Sequence, residues 1–178
     1  HAAMTGHLVL ATLHTNDAPT TLPRLMDMGV APFLIAFTTN IIVAQRLVRK
    51  NCPFCKQPYE LTPEQLSQIE SRIQPARVIQ LAERAGVPDV KNNLSSLTFY
   101  KGQGCGKCHN EGYKGRIGIY ELLEIDKEIV ELINKKANAE ELRQAAIKKG
   151  MVTLLEDGIS KALQGITSIE EILSAAKD

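Results

Sequence analysis

The 178 residues carry 21 basic and 20 acidic side chains, giving a net charge of +1, with 44% hydrophobic and 23% charged residues. That balance suits a globular protein and gives no electrostatic case for a polyanionic partner such as DNA. Aromatic residues make up only 4% and tryptophan is absent, so stacking platforms for single-stranded nucleic acid are not evident and no nucleic-acid partner is expected.

The length fits one ordinary domain, or a partial domain with a small one. The chain opens at His1 directly on apolar, element-like sequence, and is read as a piece of a longer protein without a signal peptide. Its most apolar stretch, residues 30–43, is interrupted by Thr38, Thr39 and Asn40 and is too short to span a bilayer.

In chain order, residues 8–13 (LVLATL) form an apolar run without alternation, which predicts a strand buried on both faces, as in a parallel sheet. Asp17 suits the cap of a helix running to about Met28, with Pro19 in its first turn and Gly29 at its stop. Residues 32–47 read as a second, core helix. Thr62-Pro-Glu-Gln65 has the form of a capping box and starts a helix to about Ile73. Another helix is expected over residues 76–85, ending at Gly86. A short strand is expected over residues 97–100 and a longer one over 115–125 (GRIGIYELLEI). The remainder reads as helices capped by Asp126, Asn138, Thr153 and Ser168, with stops at Gly150 and Gly165. Ile129, Leu132 and Ile133 fall on one helical face, as do Leu154, Leu155, Ile159 and Leu163.

Cys52-x-x-Cys55 and Cys105-x-x-Cys108 carry the sharpest chemistry. A C-x-x-C turn lets two thiolates converge on one ion, and two such turns complete a closed tetrahedral site for structural Zn²⁺ with no position left for water. The 15–20 residues that separate the pairs in a compact ribbon are here replaced by the whole of residues 56–104. A helical insertion clipped at its base by the metal is therefore expected. Two independent redox pairs or unliganded core cysteines are the other readings. His109, next to Cys108, reads as a bystander.

His14 falls just past the predicted strand, where doubly wound proteins place their ligands. An imidazole there can reach a terminal phosphate or an attacking water. His7 falls at the strand's other end. Taken alone, this pattern also fits ordinary satisfied histidines.

The segment TGHLVLATLHTNDA (residues 5–18) resembles the histidine box of the secretion ATPase superfamily. RLMDMGVAPFL, AQRLVRKNC, GCGKC and GYKGRIGIYELLEID follow in the family's order. The resemblance is strongest over residues 1–60 and 97–130, and its cysteine-bearing form is that of the type II secretion and type IV pilus assembly ATPases. It implies an α/β fold: a partial RecA-like parallel sheet, then a zinc-clipped helical insertion and a C-terminal helical subdomain. The expected division is residues 1–50 for the ATPase part, 51–116 for the zinc-binding part and 117–178 for the last strand and helices.

The resemblance further implies a homo-hexamer with ATP and Mg²⁺ near subunit boundaries. His7 and His14, with Thr12 in the same box, are implied to sense the nucleotide's terminal phosphate. The implied partners are an inner-membrane platform and cytoplasmic assembly proteins, and the implied location is cytoplasmic, peripheral at the inner membrane. The chain has no G-x-x-x-x-G-K-[ST] and no Mg²⁺-binding acidic motif ahead of the histidine box. Phosphoryl transfer needs both, so the longer protein is expected to hydrolyse ATP and this chain alone is not. Arg24 and Arg46 read either as phosphate or subunit contacts or as surface and packing residues. A zinc-ribbon interaction module without motor activity is the alternative from a different class.

Overall fold

A computed structural model describes residues 2–87 and 97–176. The chain divides into two compact units, one of residues 1–45 and 120–153, the other of residues 46–119 and 154–178. Two long strands, β1 (Ile41–Asn51) and β4 (Tyr113–Glu124), pair with each other. Among the described residues no helix is long and apolar enough to cross a membrane.

In the first unit, α1 (Ala18–Asp27) starts at Asp17, whose side chain accepts from the Thr20 amide. Gly29, at φ +86°, turns the chain away after it, a backbone state that a Cβ disfavours. Helix α2 (Pro32–Thr38) is shorter than residues 32–47. The expected long helix gives way after Thr38-Thr39-Asn40 because Ile41, Ile42 and Val43 are β-branched and prefer an extended chain; they open β1. Helix α5 (Lys127–Asn134) is capped by Asp126, and α6 (Ala139–Lys148) by a reciprocal capping box between Asn138 and Glu141. α2 packs on α5, α1 on α6 and α5 on α6. Leu22, Ile35, Leu123, Ile129, Ile133 and Leu142 are the large side chains of their shared core.

Residues 8–13 form no strand, and Leu8 and Leu10 are each 88% exposed. A strand buried on both faces needs a ladder on either side and layers above and below. Neither sheet among the described residues includes this run, so it is left without regular structure and exposed to solvent. The parallel sheet expected around it is not among the described residues, and the fold observed is mixed α/β with two small sheets.

In the second unit, β2 (Lys56–Tyr59) pairs antiparallel with β3 (Phe99–Gly102). Two helices of the insertion lie between these strands in sequence, α3 (Pro63–Glu70) and α4 (Pro75–Arg84). α3 begins with the Thr62–Gln65 capping box. Helix α7 (Leu154–Leu163) packs on α4, on β3 and on α8 (Ile169–Ala175). Gly158 sits where α7 meets α8: a Cβ there would lie 2.6 Å from Ile172 Cγ2. Arg77 on α4 and the buried Glu156 on α7 form an ion pair at 2.7 Å. Among the described residues the core of this unit includes Val78, Leu81, Phe99, Ile159, Ile169 and Ile172.

Candidate metal centre and the histidine segment

The β2–β3 register explains how two cysteine turns so distant in sequence meet. β2 starts directly after Cys55, β3 ends just before Gly104-Cys105, and the pairing sets Lys56 opposite Gly102. The ladder continues past the sheet: the Gln103 amide donates to the Cys55 carbonyl at 3.1 Å, and the Cys52 amide to the Gly112 carbonyl at 2.9 Å. The insertion loops out without disturbing this base.

Two glycines permit the close approach. A Cβ on Gly102 would lie 1.9 Å from the Gly112 carbonyl oxygen, and Gly112 itself stands at φ +78°. Any side chain at either position would push the two backbones apart.

Sγ–Sγ separations are 3.7 Å for Cys105–Cys108, 3.8 Å for Cys55–Cys108 and 3.9 Å for Cys52–Cys105. All four sulfurs lie within 4.8 Å of one another. Tetrahedral ZnS₄ with Zn–S near 2.3 Å requires S···S distances of about 3.8 Å. A disulfide requires about 2.05 Å, and all four cysteines are free. The residues fit a tetrahedral metal ion, with Cys52 and Cys108 buried and Cys55 and Cys105 half-buried. His109 is exposed and stands outside the cluster.

The sulfurs are electrostatically unequal. Burial raises the Cys108 thiol, but the amides of Cys105 and Gly112 donate to it and prevail, lowering it to about 6. Those amides lie 3.2 Å and 3.3 Å from Sγ. Burial, with the neighbouring thiols, pushes Cys55 up to about 12 despite the Gly104 amide. Backbone amides thus favour a first thiolate at Cys108, and a cation is needed to draw in the rest.

Asn51, immediately before Cys52, ties this base to the C-terminal helices. Its Nδ2 donates toward the carbonyls of Tyr100, Gly165 and Thr167 at 3.0, 3.3 and 2.8 Å. The Asn51 amide donates to Ile166 O at 2.8 Å.

The histidine segment lies in the first unit. His7, Thr12 and His14 are all exposed, and the Nδ1 of His7 lies 3.0 Å from Thr5 Oγ1. His14 precedes a turn fastened to α1, where Thr15 Oγ1 meets Thr21 Oγ1 at 2.9 Å. Arg24 is exposed. Arg46 donates to the Ala175 carbonyl at the end of α8.

Sequence reading missed Glu121 and Arg143. Glu121 is 1% exposed, and its Oε1 accepts from the Ala18 amide at 2.9 Å. Arg143 Nη2 donates to Asp17 Oδ2 at 2.7 Å. The signal for Glu121 was its phase: it shares the inward face of β4 with Ile119 and Leu123, where a lone carboxylate needs donors.

A family model described as Type II/IV secretion system protein matches residues 1–174. The chain is 44% identical over 172 residues to the type IV pilus assembly ATPase PilB of Myxococcus xanthus, covering 97% of this chain and 27% of that protein. It is 45% identical over 176 residues to the protein of the same name from Thermus thermophilus, covering 97% and 17%. It is 40% identical over 177 residues to the type II secretion system ATPase E of Vibrio cholerae, covering 99% and 31%. The chain therefore spans less than a third of the length of these relatives. Because the family match covers nearly all of its length, this chain belongs to the Type II/IV secretion system protein family, within the secretion ATPase superfamily.

Proposed function

We propose that this chain is the C-terminal portion of a hexameric ATPase that powers type IV pilus assembly or type II secretion. The observation that carries the reading is the match of nearly all of this chain to part of proteins named for those activities, together with a four-sulfur cluster at the spacing of a tetrahedral metal site. Cys52, Cys55, Cys105 and Cys108 hold structural Zn²⁺, whose bonds cross-link the two ends of the insertion. Four thiolates close the coordination shell, so the ion has no open position for water.

Residues 1–50 contribute to a RecA-like sheet whose other strands come from the longer protein. The exposed apolar faces of Leu8 and Leu10 support this, since contiguous apolar surface of this kind is normally covered. Residues 51–116 form the zinc-binding part and residues 117–178 the closing strand and helices. His14, with His7 and Thr12, senses the terminal phosphate of Mg²⁺-bound ATP. A neutral imidazole can donate to a phosphate oxygen or accept from water, and gaining or losing that bond biases a two-state element. The exposure of His14 supports the role. The motor works in the cytoplasm against an inner-membrane platform, with cytoplasmic assembly proteins. This chain alone does not hydrolyse ATP, because it contains no phosphate-binding loop.

The test uses a longer chain of this protein that includes that loop. With Mg²⁺ it should hydrolyse ATP, and His14→Ala should slow turnover about tenfold or more, the worth of one hydrogen bond to a charged group. An inactive longer chain contradicts the motor reading. An unchanged rate in His14→Ala contradicts the sensing role.

A further inference from the structure

The turn that follows His14 is held by two buried carboxylates and one guanidinium. Asp17 is 8% exposed and Glu121 1% exposed. Asp17 Oδ1 accepts from the Thr20 amide at 2.8 Å, Glu121 Oε1 accepts from the Ala18 amide at 2.9 Å, and Pro19 between them has no amide hydrogen. Every backbone amide donor in the first three residues of α1 is thus taken by a carboxylate. Arg143, on α6, closes the arrangement through Asp17 Oδ2 at 2.7 Å. Its guanidinium stays firmly charged: burial works against this, but the Asp17 hydrogen bond and the charges of Asp17, Glu121 and Glu140 prevail.

Capping a helix needs one side chain, and a buried charged cluster is a poor route to stability compared with apolar packing. What the cluster does supply is direction. Bonds to β4 and α6 fasten the chain at Asp17 and Ala18, directly after the histidine-bearing segment. Asp17 is only three residues from His14, so the imidazole can stray no further than a short extended tether of about 10 Å.

We infer that Arg143 is a positioning residue for His14: by gripping Asp17 it ties the histidine-bearing turn to α6, so that where α6 sits sets where the imidazole meets a nucleotide. The inference rests on the sensing role proposed for His14. It makes α6 the element through which a partner or neighbouring subunit would tune turnover.

Steady-state ATP hydrolysis by the longer chain carrying a phosphate-binding loop tests this, with zinc content and melting temperature as checks on folding. Arg143→Met should lower kcat about tenfold and leave KM for ATP within about twofold, as expected for contacts used only in the transition state. Arg143→Lys should recover part of the loss. The double variant Arg143→Met/His14→Ala should be no slower than His14→Ala alone. If Arg143→Met does not fold, Asp17→Asn, which keeps the capping oxygen and drops the charge, should give the same pattern. Multiplicative losses in the double variant would overturn the inference and leave the sensing role standing. An inert His14→Ala would overturn both. In the present chain, Arg143→Met should move the His14 imidazole NMR signals and leave those of His109 in place; unmoved His14 signals would also overturn it.

Discussion

The Sγ of Cys52 lies 3.9 Å from the Sγ of Cys105, fifty-three residues further along the chain. That separation is too long for a disulfide and matches the edge of a ZnS₄ tetrahedron. Four thiols that crowd together in a half-buried base repel as they ionise, and only a cation turns the arrangement from a cost into a cross-link. Replacing Cys108 with Ser should therefore abolish zinc retention and lower the melting temperature by 10 °C or more. Metal-binding free energy at such sites, roughly 10–16 kcal/mol in small zinc peptides, is folding free energy. Calorimetry with and without a chelator checks this, and a variant melting with the parent would contradict it.

Asn51 makes a second prediction about the same base. Its amide group serves three carbonyls from two different segments. Asn51→Ala strands buried acceptors at about 1–3 kcal/mol for an unsatisfied group. Asn51→Asp should be worse, because a carboxylate cannot donate and sets negative charge against three carbonyl oxygens. Urea denaturation should rank parent, Ala and Asp in that order of falling stability.

Gly158 offers a sign reversal. Alanine is favoured over glycine in a helix by about 1 kcal/mol. Here its Cβ would meet Ile172 Cγ2 at 2.6 Å, and overpacking costs about 1–3 kcal/mol. Gly158→Ala should destabilise the parent and stabilise an Ile172→Ala background. The double-mutant cycle, read by urea midpoints, would refute the contact if the sign were the same in both.

Much of this was legible in the residues. Asp17, Thr62, Asp126, Asn138 and Ser168 all act as the caps their spacing implies, because capping is decided within four residues. The cysteine pairs were equally plain, since ligand type and turn length are local. Residues 8–13 form no strand here because burial of a strand depends on neighbours that the run itself does not encode. Residues 41–47, expected as the end of a helix, were misread because a short apolar run fits a helix or a strand until β-branching decides it. The Asp17–Arg143 bond, 126 residues apart in sequence, is a purely tertiary pairing, and neither residue announces the other.

Acid should loosen the first unit through that pairing. Burial raises the Asp17 carboxyl, but hydrogen bonds from Thr20 and Arg143 prevail and hold it below its ordinary 3.8. A carboxylate depressed on folding contributes stability that is fully present above its unfolded pKa and is lost as pH falls through the folded value. The urea midpoint should therefore stay level on the neutral side and decline below the ordinary carboxylate range. Asp17→Asn should start lower at neutral pH and show a shallower decline. Equal slopes would contradict the assignment.

The proposed zinc role of the four-cysteine cluster is tested most directly by metal content and thiol reactivity measured together on the purified chain. One Zn²⁺ per chain, with all four thiols protected until a chelator is added and then all reactive, is the predicted result. A chain that retains no zinc, or that holds its cysteines as disulfides or as four freely reactive thiols, would contradict it.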